Sequence, residues 1–132
     1  MGADQYAQLV IPMSLQAAGT GEVLYGVWKY PGRWLITACG IIGDAVAADA
    51  SNVTQITLAN TTQSQTLLDH DTTTGQEGAL TAATFTSSGF SAVTGEGLVI
   101  DSGDVFTLTK ADGGTGKAWA GSAVILARRI QG

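Results

Sequence analysis

Charged side chains are scarce in this chain of 132 residues. They make up 13% of it, about half the usual share of roughly 25%, and the formal net charge is −5. Six residues are basic, and of these only Arg128 and Arg129 are adjacent, so no basic stripe is available to neutralise a phosphate backbone. The acidic balance also disfavours an anionic membrane surface. We therefore expect neither nucleic acid nor a membrane as a partner.

Side chains that carry catalysis or bind metals are equally few. There is one histidine and one cysteine, whereas a metal site built on imidazole usually draws on two or three histidines. Cys39 lies in an apolar run, which favours a small buried hydrophobe over a nucleophile paired with His70. His70 lies between Asp69 and Asp71. This pattern favours a polar turn, the alternative being an imidazole oriented by aspartate. The sequence predicts no enzyme, no cofactor and no metal.

Three weaker motifs have simple explanations. The segment 113–117 (GGTGK) lacks the spacing of a phosphate loop, and no helix is predicted after it. Glycosylation sequons at Asn52 and Asn60 are expected by chance in a chain rich in threonine. Three aspartates near turns are an alternative set of calcium ligands: Asp101, Asp104 and Asp112. Carboxylates in such places more often form the turn itself.

The residues that are abundant are small and suited to strands. Glycine (18), alanine (19), threonine (17) and serine (8) together account for 62 residues, and the hydrophobic share of 45% argues against disorder. Glycine and β-branched residues disfavour helices, and turn signals recur roughly every ten residues, as in sandwiches and barrels. We predict a single domain over 1–132. Strands are predicted over 6–13, 22–30, 33–43, 53–60, 64–69, 79–86, 90–94, 97–101, 104–110 and 117–129.

Two turns are well specified. The segment 30–33 (YPGR) fits a type II turn, because proline fixes φ and glycine accepts a positive φ. It would join the strands predicted over 22–30 and 33–43. The segment 112–116 (DGGTG) is predicted to be the tip of a hairpin between the last two strands. The segment 43–52 is either one helical turn or a loop.

Two predicted strands are apolar on both faces: 34–42 and 123–127. A strand has this pattern when both of its faces are covered, but a two-layer sandwich covers only one face of each strand. The second cover is therefore expected to be another subunit, with Val124, Leu126 and Arg128 as interface candidates. The alternative is a loop of the same chain lying over the outer face.

Aromatic residues cluster around the first predicted turn. Tyrosine, tryptophan and arginine are the residue types of interface hot spots, and exposed rings are also platforms for stacking sugars. The interface candidates here are Tyr25, Trp28, Tyr30, Arg33 and Trp34. For Trp28 and Trp34 the pattern favours the core, where they would lie on paired strands.

The segments on either side of residues 43–95 resemble those of a known fold. The stretch 30–38 (YPGRWLITA) resembles an aromatic-glycine-aromatic strand of the jelly rolls in the tumour necrosis factor and complement globular-head families. The stretch 98–108 (LVIDSGDVFTL) resembles their Gly-Asp corner, and 118–130 resembles their closing strand. This resemblance covers residues 22–130, apart from 43–95, where no motif matches. It implies an all-β, two-sheet antiparallel jelly-roll sandwich of a kind that usually forms trimers.

The composition is similar to that of small virion proteins of tailed phages, namely capsid decoration (cement) proteins and head-fibre or tail-tip modules. This resemblance implies a non-enzymatic protein, synthesised in the host cytoplasm and carried on the capsid surface. Its partners would be copies of itself, as a homotrimer, and the major capsid protein. The alternative is a receptor- or carbohydrate-binding module of a fibre or tail tip that uses the aromatic cluster. Residues 1–12 are expected to form an extended N-terminal arm, since Pro12 denies a strand one donor.

Overall fold

The described residues form eight antiparallel strands arranged in two sheets. The computed structural model describes residues 5–88, 90 and 98–131. Its strands are β1 (Tyr6–Gln16), β2 (Glu22–Val27), β3 (Arg33–Gly43), β4 (Val53–Asn60), β5 (Gln65–Asp71), β6 (Val99–Asp101), β7 (Val105–Gly113) and β8 (Trp119–Gln131).

The pairing of the strands defines a jelly roll. β1 pairs with β8, β2 with β7, β3 with β6 and β4 with β5, so the first strand meets the last and the pairs nest inward. Successive pairs fall in opposite sheets: sheet A has the order β1-β8-β3-β6 and sheet B the order β2-β7-β4-β5. The prediction of an all-β, two-sheet antiparallel jelly-roll sandwich is therefore confirmed.

The core lies between the sheets and follows the period of two along each strand. One row of leucines crosses all four strands of sheet B: Leu24, Leu108, Leu58 and Leu68. In sheet A the inner strands β8 and β3 place Ile125 opposite Cys39, and both are fully buried. Burying each large aliphatic side chain contributes about 1.5–3 kcal/mol. This burial holds the two sheets together in a chain with few charged side chains.

One predicted strand is wrong. Residues 79–86 form two isolated bridges, Leu80 with Val46 and Thr86 with Ile41, because Ala83 between them has a φ of 53° and interrupts the extended backbone. The segment 43–52 is a loop, with no helical turn. The strand predicted over 90–94 lies outside the described residues except for Phe90. The described residues include no helix long and apolar enough to cross a membrane.

The two predicted turns cross between sheets instead of closing hairpins. Gly32 has the positive φ expected of it, 94°, but it joins β2 in sheet B to β3 in sheet A. The prediction of a hairpin tip at 112–116 is wrong, since β7 runs to Gly113 in sheet B and β8 begins in sheet A. Turn residues specify a tight bend, and the sheet that each flanking strand joins is decided by pairing elsewhere.

The N-terminal segment is a strand over most of the predicted arm. Residues 6–12 belong to β1 and pair with β8, so the arm is wrong for these residues, while 1–4 lie outside the described part. The Arg129 amide donates to the Gln5 carbonyl at 2.9 Å. By alternation, odd-numbered residues of β1 direct their backbone groups at β8 and even-numbered ones direct them outward. Pro12 therefore falls where the free edge of the sheet would otherwise present an N–H.

Candidate functional site

The outer face of sheet A is largely apolar along its three longest strands, β1, β3 and β8. Rows of residues that stand opposite one another run from β1 through β8 to β3. We call the following six residues the apolar face: Val10, Pro12, Ala38, Ile42, Val124 and Leu126. Val10, Leu126 and Ile42 are 44%, 37% and 36% exposed. Arg128 lies at the margin, opposite Tyr6 on β1.

A loop of the same chain covers Gly40, which lies opposite Val124 on this side of sheet A. The Thr86 and Ile41 amides each donate to the other's carbonyl at 2.8 Å. A Cβ built at Gly40 would lie 2.7 Å from Cζ of Phe85, so glycine at this position is what lets the ring approach. The loop alternative therefore holds at Gly40, while the rest of the apolar face stays open to solvent.

A β-bulge shapes the middle of the face. Thr37 is an extra residue between Ile36 and Ala38, which pair with Ala127 and Leu126. The Thr37 hydroxyl donates to the Leu126 carbonyl at 3.3 Å. A depression of about 310 Å³ opens beside the bulge, and its lining is Tyr6, Ala7, Gln8, Thr37, Leu126 and Ala127. Bulges locally bend a strand and re-aim its side chains, so the face is contoured at this point.

The predicted aromatic cluster exists, but its two tryptophans are buried. Ring centroids lie 4.9 Å apart for Trp28 and Tyr30 and 5.6 Å apart for Trp34 with either of them. Trp28 is 0% exposed and Trp34 is 4% exposed, and the Trp34 indole donates to the Pro31 carbonyl at 3.0 Å. The crossing from β2 to β3 closes this end of the sandwich over them. Interface roles predicted for Trp28 and Trp34 are therefore corrected: both belong to the core.

The other candidates of the turn region are dispersed. Tyr25, 69% exposed, stands on the outer face of sheet B between Val23 and Val27, at the opposite side of the molecule from the apolar face. Tyr30 is partly exposed, and its hydroxyl donates to the Gln8 carbonyl at 3.2 Å. Arg33 forms a half-exposed ion pair with Asp101 at 3.1 Å. The eight interface candidates therefore do not form one surface: they lie on the outer faces of the two sheets, at one end of the sandwich and in the core.

Cys39 and His70 are both buried. Burial raises the pKa of the Cys39 thiol to about 12, which leaves it protonated and unreactive at neutral pH. His70 lies within β5, so its interpretation as part of a turn is wrong. Its Nε2 donates to the Gly78 carbonyl at 2.8 Å, and its Nδ1 lies 2.6 Å from the Ser88 hydroxyl. The histidine ties the loop after β5 to the sandwich.

The three aspartates considered as calcium ligands do not meet. Asp104 is buried and accepts hydrogen bonds from Asn60, Gln63 and the Asp101 amide. Asp112 lies at the far end of β7 from Asp104. Within residues 5–88, 90 and 98–131, no group of three His, Cys, Asp or Glu side chains is placed to hold a metal ion.

Sequence reasoning overlooked Lys110, whose side chain is fully buried. Its Nζ lies 2.7 Å from Oδ2 of Asp112 and also donates to the carbonyls of Ala17 and Thr20. Burial favours the neutral form of Asp112, but hydrogen bonds from Lys110 and Thr54 outweigh it and lower the Asp112 pKa. The signal was present in the sequence, since Lys110 and Asp112 continue the inward alternation of Phe106 and Leu108.

Comparisons of the chain with protein-family models, with curated proteins and with solved structures find no match.

Proposed function

We propose that this chain is a non-enzymatic structural protein of a virus particle, of the capsid-decoration type. It would bind the outer surface of the shell as a homotrimer and stabilise the shell. The observation that carries the proposal is the apolar face of sheet A, which stays open across β1, β8 and β3.

The apolar face has the anatomy of an interface between copies. Its centre carries Val124 and Leu126, and its margin carries Tyr6 and Arg128. An apolar centre with a polar and aromatic rim is typical of oligomer interfaces, and exposed apolar patches on soluble domains mark sites of association. In a trimer this face would line the threefold axis, where each copy contacts the next and the third contact closes the ring. The number three comes from the jelly rolls that the sequence motifs resemble.

A decoration role suits a small sandwich with few charged side chains. Each subunit of a trimer can make a modest contact with the shell, and three linked contacts bind far more tightly than one. The chain supplies a rigid two-sheet scaffold with 18 glycines and 19 alanines, which leaves its surface smooth. The resemblance to phage virion proteins supplies the identity of the partner, a major capsid protein.

The second candidate is a receptor- or carbohydrate-binding module, and the structure reduces its support. Two of the four aromatic residues on which it depended, Trp28 and Trp34, are buried. Tyr25 remains as an exposed ring with Val23 and Val27 beside it. Glycan binding that is lost in Tyr25→Ala would favour this candidate.

The first test is the mass in solution, by light scattering coupled to gel filtration. The wild-type protein is expected at three times the chain mass of 13.5 kDa. Leu126→Asp, on the apolar face, is expected to be monomeric. Val23→Asp, similarly exposed but on sheet B, is the matched control and should remain trimeric. A monomeric wild-type protein, or equal behaviour of the two variants, contradicts the role of this face.

The second test is co-sedimentation with capsid shells assembled from the major capsid protein encoded in the same genome. The wild-type trimer is expected to pellet with the shells and to raise the temperature at which they come apart. A stable trimer that stays in the supernatant contradicts the decoration role and leaves self-association standing.

A further inference from the structure

The charged residues are separated between the two ends of the sandwich. We define the Lys29 end as the one where β2, β4 and β8 finish, and the Asp49 end as the opposite one. Among the described residues, four basic side chains lie at the Lys29 end, with two carboxylates, Asp101 and Asp104. The four basic residues are Lys29, Arg33, Arg128 and Arg129. Seven carboxylates lie toward the Asp49 end, with Lys110 and Lys117: Glu22, Asp44, Asp49, Asp69, Asp71, Glu77 and Asp112.

The carboxylates are engaged within the chain. Each of the seven toward the Asp49 end accepts a hydrogen bond from a backbone amide or a side chain of the chain itself. At the Lys29 end, Asp104 is buried in its own hydrogen-bond network and Asp101 accepts from Arg33.

The cations are engaged less. Within the described part of the chain, Lys29 and Arg128 form no ion pair and no side-chain hydrogen bond, whereas Arg129 donates to Gln5 Oε1 at 2.8 Å. Within the described residues, the charges of Lys29 and Arg128 are therefore unpaired, whereas each carboxylate toward the other end already accepts a hydrogen bond.

Exposed aromatic rings accompany this positive charge. Tyr6 is 66% exposed and Tyr30 is 41% exposed. Together with Pro31 and Arg129 they border a depression of about 410 Å³, whose floor includes Trp34. Tyrosine and arginine are enriched where protein surfaces meet, and a guanidinium with adjoining rings binds a carboxylate side chain well.

We propose that the Lys29 end is a docking surface for an acidic protein segment. Lys29 and Arg129 would face the partner's carboxylates and Tyr30 would supply the apolar contact, while Arg128 and Tyr6 stand where this end meets the apolar face. The proposal deepens the proposed function and rests on it for the partner's identity: the shell protein would present aspartate and glutamate side chains at its outer surface. The trimer would then be oriented with its Lys29 end against the shell and its Asp49 end in solvent.

Two other occupants fit the observations less well. A nucleic acid needs a stripe of cations, whereas these few lie on an otherwise acidic protein. A second copy stacked head to tail would have to offer the carboxylates of its Asp49 end, of which Asp49 and Asp112 are already paired with lysines, and the measurement of mass at low salt tests for this occupant.

The test measures binding of the full-length protein to immobilised poly-L-glutamate at low salt, with duplex DNA as a second probe. The variants are Lys29→Glu and, as a control of equal net charge, the double variant Thr74→Glu/Gln76→Glu, whose sites are exposed toward the Asp49 end. Lys29→Glu should weaken binding about tenfold or more, the double variant less than about twofold, and added salt should weaken all binding. Arg129→Gln should also weaken binding, with thermal melting used to confirm that it folds.

Three results overturn the proposal: equal binding by Lys29→Glu and its control, tighter binding to duplex DNA than to polyglutamate, or a mass that grows at low salt and stops growing in Lys29→Glu. The shell assay separates this proposal from the proposed function. Shells that bind wild type and Lys29→Glu equally overturn the docking surface alone. Shells that bind neither, while polyglutamate still distinguishes the variants, overturn the decoration role alone.

Discussion

Lys110 and Asp112 stand two residues apart on β7 and form an ion pair of 2.7 Å whose lysine side chain has no solvent exposure. Removing one partner of a buried pair leaves the other charge uncompensated, at a cost of about 3–5 kcal/mol. Lys110→Met is therefore expected to lower the free energy of unfolding by about that amount, measured by urea denaturation, and to raise the Asp112 pKa.

The chain contains a matched control for this prediction. Lys117 pairs with Asp49 at 3.3 Å, with both side chains 30% exposed, and exposed pairs contribute about 0–1 kcal/mol. Lys117→Met should therefore be nearly neutral. Equal losses in the two variants would show that the burial of the Lys110 pair is not what matters.

The stability of the protein should fall in acid. The backbone amides of Ser51 and Asn52, and then Lys117, lower the Asp49 pKa from 3.8 to about 2, and Thr73 lowers the Asp71 pKa. A carboxyl with a depressed folded pKa contributes stability above its unfolded pKa and loses it as the pH falls through the folded value. The melting temperature should therefore drop as the pH falls from about 4 toward 2, and less so in Asp49→Asn. An NMR titration that places Asp49 near 3.8 would contradict this account.

The thiol of Cys39 should be silent in the folded state. It is buried opposite Ile125, and its pKa is raised to about 12. Reaction with a disulfide reagent at neutral pH should be undetectable in native protein and stoichiometric in denaturant. A fast reaction in the native protein would mean that sheet A opens readily at β3.

His70 should stabilise the loop that follows β5. His70→Phe keeps the ring shape but removes the hydrogen bonds to Gly78 and Ser88, and unpaired buried partners cost about 1–3 kcal/mol. Amide exchange measured by mass spectrometry should accelerate over residues 73–88 and stay unchanged in β7 and β8. Thr84→Ala should leave exchange unaltered, because among the described residues the Thr84 hydroxyl bonds only the nearby Ala82 carbonyl.

Local patterns in the sequence predict most of the strands and little of their arrangement. Alternation puts Ile56 and Leu58 on the same face of β4, and both are buried. The bends at Gly32 and Gly114 follow from glycine and proline chemistry, yet both were expected to close hairpins. A bend of four or five residues contains no information about which sheet the next strand joins, since that depends on partners such as β1 and β8, more than a hundred residues apart.

The candidate site was predicted in part for a similar reason. Alternation shows that Val124 and Leu126 share a face but not which face of the strand is covered. The apolar content of the turn region indicates an aromatic cluster, but only the crossing between sheets reveals that Trp28 and Trp34 close the end of the core. The contact between Gly40 and Phe85 links residues that are distant in sequence, so no local pattern indicates it.

Pro12 and Tyr30 together limit how copies of this protein can associate. Pro12 removes an outward N–H from the free edge of β1, and the Tyr30 hydroxyl occupies the outward carbonyl of Gln8. The β1 edge of sheet A is therefore a poor site for strand addition, the route that leads to fibres of unlimited length. Copies that associate on this side must meet through their side chains, and a ring of such contacts that closes stops at a fixed number of subunits.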